Sequence, residues 1–167
     1  MLFRGWAEAR LGEVGSGLGE MRDALVGEEE AGIPSDFPLY YEMFAEVCQR
    51  AGRIDEGLEA VGKGLAHAER GRLVYWNAEL HRRRGELLLV TGGDPVVVAD
   101  CFAHALDDAR AQGALFLELR AATSLARLEC DEVGDAAAGL RVAYSRFPRD
   151  IDAPELDEAR ALLAAQA

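Results

Sequence analysis

The stretch Tyr41–Leu65, YEMFAEVCQRAGRIDEGLEAVGKGL, decides the fold. Tyr41, Phe44 and Cys48 fall at i, i+3 and i+7, the spacing of one apolar helix stripe, and Ala45 beside them is small enough for close helix approach. Gly52 ends that helix, and Ile54, Leu58, Val61 and Leu65 form a second stripe. Gly57 and Gly64 sit seven apart on the second helix. Glycine costs about 1 kcal/mol against alanine in a helix interior, so its presence there points to a packing requirement. The stretch predicts a helix pair around a glycine turn.

The same turn recurs outward from this core, at Gly12 and Gly92 and, less cleanly, near Gly134. Periodicity of this size indicates a stacked helical array. The first pair runs from about Leu2 to Leu11 and from about Ser16 to Glu30. Pro34 and Pro38 punctuate the connector, with Ser35 or Asp36 placed to cap the next helix. The third pair carries Leu73, Trp76, Leu80 and Leu87, ends at Gly92 and Gly93, and restarts at Asp94 and Pro95 with the stripe Val98, Phe102, Ala105 and Ala109. The fourth carries Leu117, Ala121, Leu125 and Leu128, then a shorter helix from about Asp135 to Tyr144, closed by Pro148. Asp152 is placed to cap a last helix with Leu156, Ala159 and Leu163 facing inward. All five prolines fall between or at the start of these helices, which supports the assignment independently of the apolar pattern. No segment shows sustained period-two alternation. The expectation is an all-α single domain over 1–167, a right-handed superhelical array of about four antiparallel helix pairs. The repeats lie at about 2–31, 37–69, 72–112 and 114–147, with a capping helix at 153–165.

Composition narrows the partners. At 167 residues, half of them hydrophobic, the chain can bury an ordinary core without staples. The net charge of −12 opposes binding to nucleic acid and to anionic lipid, and neither is expected as a partner. No apolar run approaches membrane-span length, and the start MLFRGWAEAR lacks the apolar stretch of a secretion signal. Three widely spaced cysteines fit reduced thiols, and a cytoplasmic location is expected. Lys63 is the sole lysine, an arginine bias that reads as GC-rich bacterial coding.

The pairs resemble the tetratricopeptide repeat (TPR). A small residue sits in the first helix (Ala45, Gly85, Ala126), a glycine turn follows, and small residues lie seven apart on the second helix, at Gly57 and Gly64 and at Gly17 and Ala24. The period is about 40 rather than about 34, an excess that long connectors account for. Three further segments carry a closer resemblance. They are Ala78–Leu89 (AELHRRRGELLL), Glu118–Leu128 (ELRAATSLARL), and Tyr144 and Phe147 followed by Asp152–Leu156 and Glu158–Leu163. In this order they resemble the TPR-like C-terminal region of bacterial multidomain signalling ATPases, which include adenylate/guanylate-cyclase-like proteins and ATP-dependent transcription regulators. The resemblance implies a repeat fold and a regulatory or assembly role, not catalysis. The chain departs from that group in three ways. No cyclase, ATPase or helix-turn-helix segment is evident, the turn from Cys130 to Gly134 is shorter, and the chain opens partway into a helix pair. It reads either as a fragment or as a short stand-alone relative.

No motif selects an enzyme. Gly57–Gly64 matches a P-loop up to Lys63, but Gly64 stands where a hydroxyl is needed and the run lies inside an amphipathic helix, so helix packing explains it. Gly12, Gly15, Gly17 and Gly19 lack the dinucleotide-binding order and read as a turn and helix start. Cys101 and His104 share a helix, but no second ligand pair accompanies them. The carboxylates Glu28-Glu29-Glu30, Asp107-Asp108 and Asp131-Glu132 read as solvated runs. No cofactor and no metal is implied. In the only basic cluster, His81–Arg84, Arg82 and Glu86 share a face beside Glu79, which reads as surface ion pairing or as an anchor for an acidic partner.

If the pairs stack, their first helices line a concave groove. Glu42, Glu46, Arg50, Arg82, Glu86, Arg120, Thr123 and Arg127 are then expected to point into it and to bind a partner. The expected function is a non-catalytic protein–protein interaction or assembly module of a bacterial signalling or regulatory protein. The incomplete first repeat favours self-association through its exposed face. The alternative is a domain that senses a peptide or small-molecule effector in the groove.

Overall fold

The computed structural model describes residues 1–32, 36–128, 135–148 and 150–166. Among these the chain is all-α, with no strand. The helices are α1 (Leu2–Arg10), α2 (Val14–Ala31), α3 (Phe37–Arg50), α4 (Ile54–Gly71), α5 (Asn77–Val90), α6 (Pro95–Gln112), α7 (Leu115–Arg127), α8 (Ala136–Ser145) and α9 (Pro154–Ala165). The chain divides into two compact units, Met1–Arg83 and Arg84–Ala167, with the division inside α5.

One hydrogen-bond pattern ends five of these helices. At Gly12, Gly52 and Gly92 the glycine has positive φ and donates its N–H to the carbonyl three residues back. The next N–H reaches five back: Glu13 to Glu8, Arg53 to Cys48, Gly93 to Leu88. This is the Schellman stop, in which a left-handed residue lets the chain reverse while the last carbonyls stay bonded. Gly113 and Arg72 make the same pair of bonds. Arg72 does so at φ 54°, the only described non-glycine residue with positive φ.

Helix starts follow the expected caps in part. Asp94 accepts from the Val96 N–H ahead of Pro95, and Asp135 accepts from the Ala138 N–H. Asp152 caps nothing, because Pro154 takes the first helical position and Ala153 becomes the N-cap. Asp36 holds the N-cap position of α3, but its carboxylate accepts the Tyr75 hydroxyl instead. Leu73 and Trp76 precede α5, where Val74–Trp76 form a single 3-10 turn. Pro34, Ser35, Asp131, Glu132 and the turn Cys130–Gly134 lie outside the described residues.

In the N-terminal unit α1 and α2 meet backbone to backbone. A Cβ on Gly17 would stand 2.2 Å from the Gly5 carbonyl oxygen and 2.8 Å from the Ala9 nitrogen. Around Gly64 of α4 the contact is backbone to side chain, since a Cβ there would meet Leu80 of α5 at 2.8 Å and Tyr41 of α3 at 3.1 Å. First helices also touch first helices and second helices touch second ones. Trp6 and Arg10 of α1 donate to Glu46 of α3, and Arg22 of α2 donates to Glu56 of α4. In the C-terminal unit Gly85 of α5 takes the Phe102 ring of α6 at a distance that excludes a side chain. Leu119, Ala122, Leu140, Ala143, Leu156 and Ala159 join α7, α8 and α9 in one core.

Candidate functional site

The eight residues expected to line a groove are largely bonded within the fold. Glu42 is buried and accepts from Arg83 through Nε at 3.1 Å and Nη2 at 2.8 Å. Burial pushes the Glu42 carboxyl above the usual range more than the Arg83 charge and its hydrogen bonds pull it down. Glu46 accepts from Trp6, Arg10 and Arg50. Arg82 closes an i, i+3 pair with Glu79, which is itself buried. Glu86 is half-buried on α5. Arg120 and Arg127 pair with Glu155 and Glu158 of α9, and the buried Thr123 hydroxyl donates to the Leu119 carbonyl. Glu42, Glu46 and Arg50 thus lie together on α3, and Arg120, Thr123 and Arg127 on α7. The Glu42–Arg83, Trp6–Glu46, Arg10–Glu46, Arg120–Glu155 and Arg127–Glu158 pairings tie helix to helix, while Arg50–Glu46, Arg82–Glu79 and Thr123–Leu119 stay within one helix. Cys101 is buried while His104 on the same helix is exposed. Gly57–Gly64 lies within α4, as its packing explanation requires.

A concavity in the N-terminal unit lies elsewhere, between α2 and α4 with α3 as its floor. It is an open cleft of about 230 Å³. From α2 come Arg22, Leu25, Val26 and Glu29; from α4 come Glu56, Glu59, Ala60 and Lys63; Tyr41 and Phe44 lie beneath. Each second helix contributes positions i, i+3, i+4 and i+7, the spacing that puts side chains on one helical face. These residues escaped the stripe analysis because each set mixes charged with apolar types. The signal was the shared spacing on two helices expected to lie side by side.

The cleft is electrostatically structured. Arg22 pairs with Glu56 at 2.7 Å and stands 5.9 Å from the Phe44 ring. Lys63 pairs with Glu59 at 3.0 Å. Oε2 of Glu56 is buried and takes no hydrogen bond, with the Arg53 guanidinium 3.5 Å away. At one end Glu29 accepts the Tyr41 hydroxyl at 2.5 Å and lies 3.3 Å from the His67 ring nitrogen. The Tyr41 bond lowers the Glu29 carboxyl against the opposing effect of burial, and His67 lowers it further. A second, more polar hollow shares Glu56 and Glu59 and continues to Asp55 and Arg53 at the start of α4. Charge is distributed unevenly among the helices. Helix α2 sets Glu20, Asp23, Glu28, Glu29 and Glu30 against Arg22 alone, and α4 sets Asp55, Glu56, Glu59 and Glu69 against Lys63 and Arg70. In contrast α1 and α3 are nearly balanced.

Among the described residues no group of three or more metal-ligating side chains converges, and no helix is long and apolar enough to cross a membrane. No family model matches the sequence, and no solved structure matches it. An uncharacterized protein of Rhizobium meliloti (strain 1021) is 35% identical over 128 residues, which make up 77% of this chain. The chain spans only 12% of the length of that relative.

Proposed function

We propose that the chain is a non-catalytic interaction or assembly module, built as a TPR-like superhelical stack, of a bacterial signalling or regulatory protein. One observation carries the reading: helices of like position are tied to each other from pair to pair. Trp6 and Arg10 reach Glu46 between first helices, and Arg22 reaches Glu56 between second helices. An array joined this way grows in one direction and offers its helix faces to partners. The repeated Schellman turns support the same reading. So does the relative, in which the matched segment is a small share of a much longer chain. The resemblance to the C-terminal region of signalling ATPases then gives the module its place, in the cytoplasm, as a holder of a protein or peptide.

The effector-sensing alternative has less support. The α2–α4 cleft, about 230 Å³, is smaller than the roughly 300–1,000 Å³ of pockets that enclose a metabolite, and the adjoining hollow of about 480 Å³ has a mostly charged lining (Arg53, Asp55, Glu56, Glu59) rather than the apolar one such pockets have. The cleft's size suits a side chain or two from a protein surface. Reconstitution tests the proposal. Partners retained by the immobilised chain from a bacterial extract are identified, re-expressed and titrated in solution, and the chain's own association is followed by light scattering. Saturable binding to a purified partner or to itself is expected. A chain that stays monomeric and binds no re-expressed partner would falsify the reading.

A further inference from the structure

We propose that the edge of the N-terminal unit where Phe3, Tyr40 and Tyr75 stand in a row binds arginine side chains on an extended segment of a partner protein. A guanidinium of that segment lies over a ring and bonds to Glu28 or Asp36. The inference rests on the interaction-module reading and adds the edge used and the chemistry of the partner.

The row follows the helix pairs. Phe3 lies at the start of α1, Tyr40 at the start of α3, and Tyr75 in the 3-10 turn that leads into α5, so each first helix brings one ring at its entry. The rings adjoin. Phe3 meets Tyr40 edge-on with ring centroids 5.8 Å apart, and the Tyr75 hydroxyl donates at 2.7 Å to Asp36, one helical turn before Tyr40. Burial, then the charges of Glu28 and Asp36, push the Tyr40 phenol up, which sets both carboxylates beside that ring. The surface is open: Phe3 is 56% exposed, Tyr75 is 41% exposed, and Tyr40 is half-buried. Its negative charge is unanswered. Among the described residues neither Glu28 nor Asp36 pairs with a cation, and Oε2 of Glu28 is withdrawn from water without a hydrogen bond. Glu28 also stands with Glu29 and Glu30 in the last turn of α2, where no basic residue offsets the negative end of the helix. A partner's cation would answer both. Exposed aromatic rings attract cations, and a guanidinium suits this edge because it is planar, weakly hydrated and carries donors for a carboxylate while it stacks. An ammonium is a compact, strongly hydrated charge. The same field repels an acidic segment and disfavours a second copy of the chain, whose net charge is −12.

The test uses the whole chain and two fluorescein-labelled peptides of equal length and charge, one alternating arginine with serine and the other lysine with serine. The arginine peptide is expected to bind about 10-fold more tightly than the lysine peptide. The decisive variant is Phe3→Leu with Tyr75→Leu, which removes two exposed rings and leaves every charge in place. Diffuse attraction to the acidic chain would be indifferent to it. Docking on the row requires a loss of about 10-fold for the arginine peptide. Glu28→Gln with Asp36→Asn should also weaken binding about 10-fold, while Asp100→Asn with Asp107→Asn, which removes the same charge in the C-terminal unit, should change it by less than about 2-fold. Unchanged urea midpoints show that each fold is intact. If the double ring variant shifts its midpoint, Phe3→Leu and Tyr75→Leu are titrated singly, each with an expected loss of about 3-fold. Binding that survives removal of the rings, equal binding of the two peptides, or no binding of the arginine peptide overturns the docking proposal. Each of these results leaves the module reading to its own reconstitution.

Discussion

Two seams of the N-terminal unit join helices by opposite means. Between α1 and α2 the side chains are removed, and Gly5 and Gly17 bring backbone against backbone. Between α3 and α5 the space is filled with charge: Glu42, Arg83, Gln49 and, on α5, the Glu79–Arg82 pair. The first seam is backbone packing with the Arg4–Glu20 pair on its exposed side, and it has no room to adjust. The second has room, but each buried charge depends on its partner. The two seams therefore fail differently, and substitutions can show which means governs each.

The charged seam should be the more fragile to loss of one member. Arg83→Met leaves the Glu42 carboxylate buried without its guanidinium and should cost about 3–5 kcal/mol in urea unfolding. Replacing both, with Glu42→Leu added, should recover most of that loss, because an apolar pair of similar size carries no desolvation cost. A single substitution that costs well under ~1 kcal/mol would show that water reaches the seam. The glycine seam comes next. Gly17→Ala places a Cβ against backbone atoms that cannot turn aside, and about 2–3 kcal/mol should be lost despite alanine's better helix propensity. A melting temperature equal to wild type would mean that α1 and α2 separate at little cost.

Helix α4 carries the finest contrast, in two glycines two residues apart. Gly64→Ala meets the Leu80 methyl at 2.8 Å, a side-chain end that can shift, so a loss of about 1 kcal/mol is expected. Gly62 has open space around it, and Gly62→Ala should stabilise by roughly 0.5–1 kcal/mol. Thermal melts of the two variants should move in opposite directions, and a shift of the same sign in both would show that packing does not distinguish the two faces of α4.

These contrasts explain how far the sequence could be read. The helices and the turns at Gly12, Gly52 and Gly92 depend on local spacing, and the structure has them where that spacing puts them. The stripes, however, are only partly the buried faces: α7 buries Leu119, Ala121, Ala122 and Ala126 rather than Leu117, Leu125 and Leu128, and α4 buries Val61 with Ala60 and Ala68 rather than Ile54, Leu58 and Leu65. The packing role of Gly17 and Gly64 followed from their interval on an apolar face. The purpose of the charged residues did not follow, because an ion pair depends on which helix lies opposite. Glu42 and Arg83 are 41 positions apart, and nothing local to either announces the other. The same holds for Arg120 and Arg127, whose partners stand on α9. The α2–α4 cleft was hidden for the same reason: its two rows have meaning only once the second helices are adjacent.

Acidity separates buried from bridging carboxylates within the same unit, and the signs are opposite. The Glu42 carboxyl is raised in the fold by burial, so its contribution to stability is fully present below the ordinary glutamate value. That contribution is lost as pH rises from there through the raised one. The Glu29 carboxyl is lowered, chiefly by the Tyr41 hydroxyl, so its contribution is present above the ordinary value and lost as pH falls through the lowered one. Urea midpoints of wild type, Glu42→Gln and Tyr41→Phe, taken between about pH 4 and pH 7, separate the two effects. The penalty of Glu42→Gln should shrink as pH rises, because the wild type alone carries the cost of ionising a buried carboxyl. The penalty of Tyr41→Phe should grow over the same interval, because the lost hydroxyl favoured the ionised Glu29. Penalties that change in the same direction would place the two carboxylates in equivalent surroundings, and the contrast between a charge sealed in a seam and one bridging at a cleft edge would not hold.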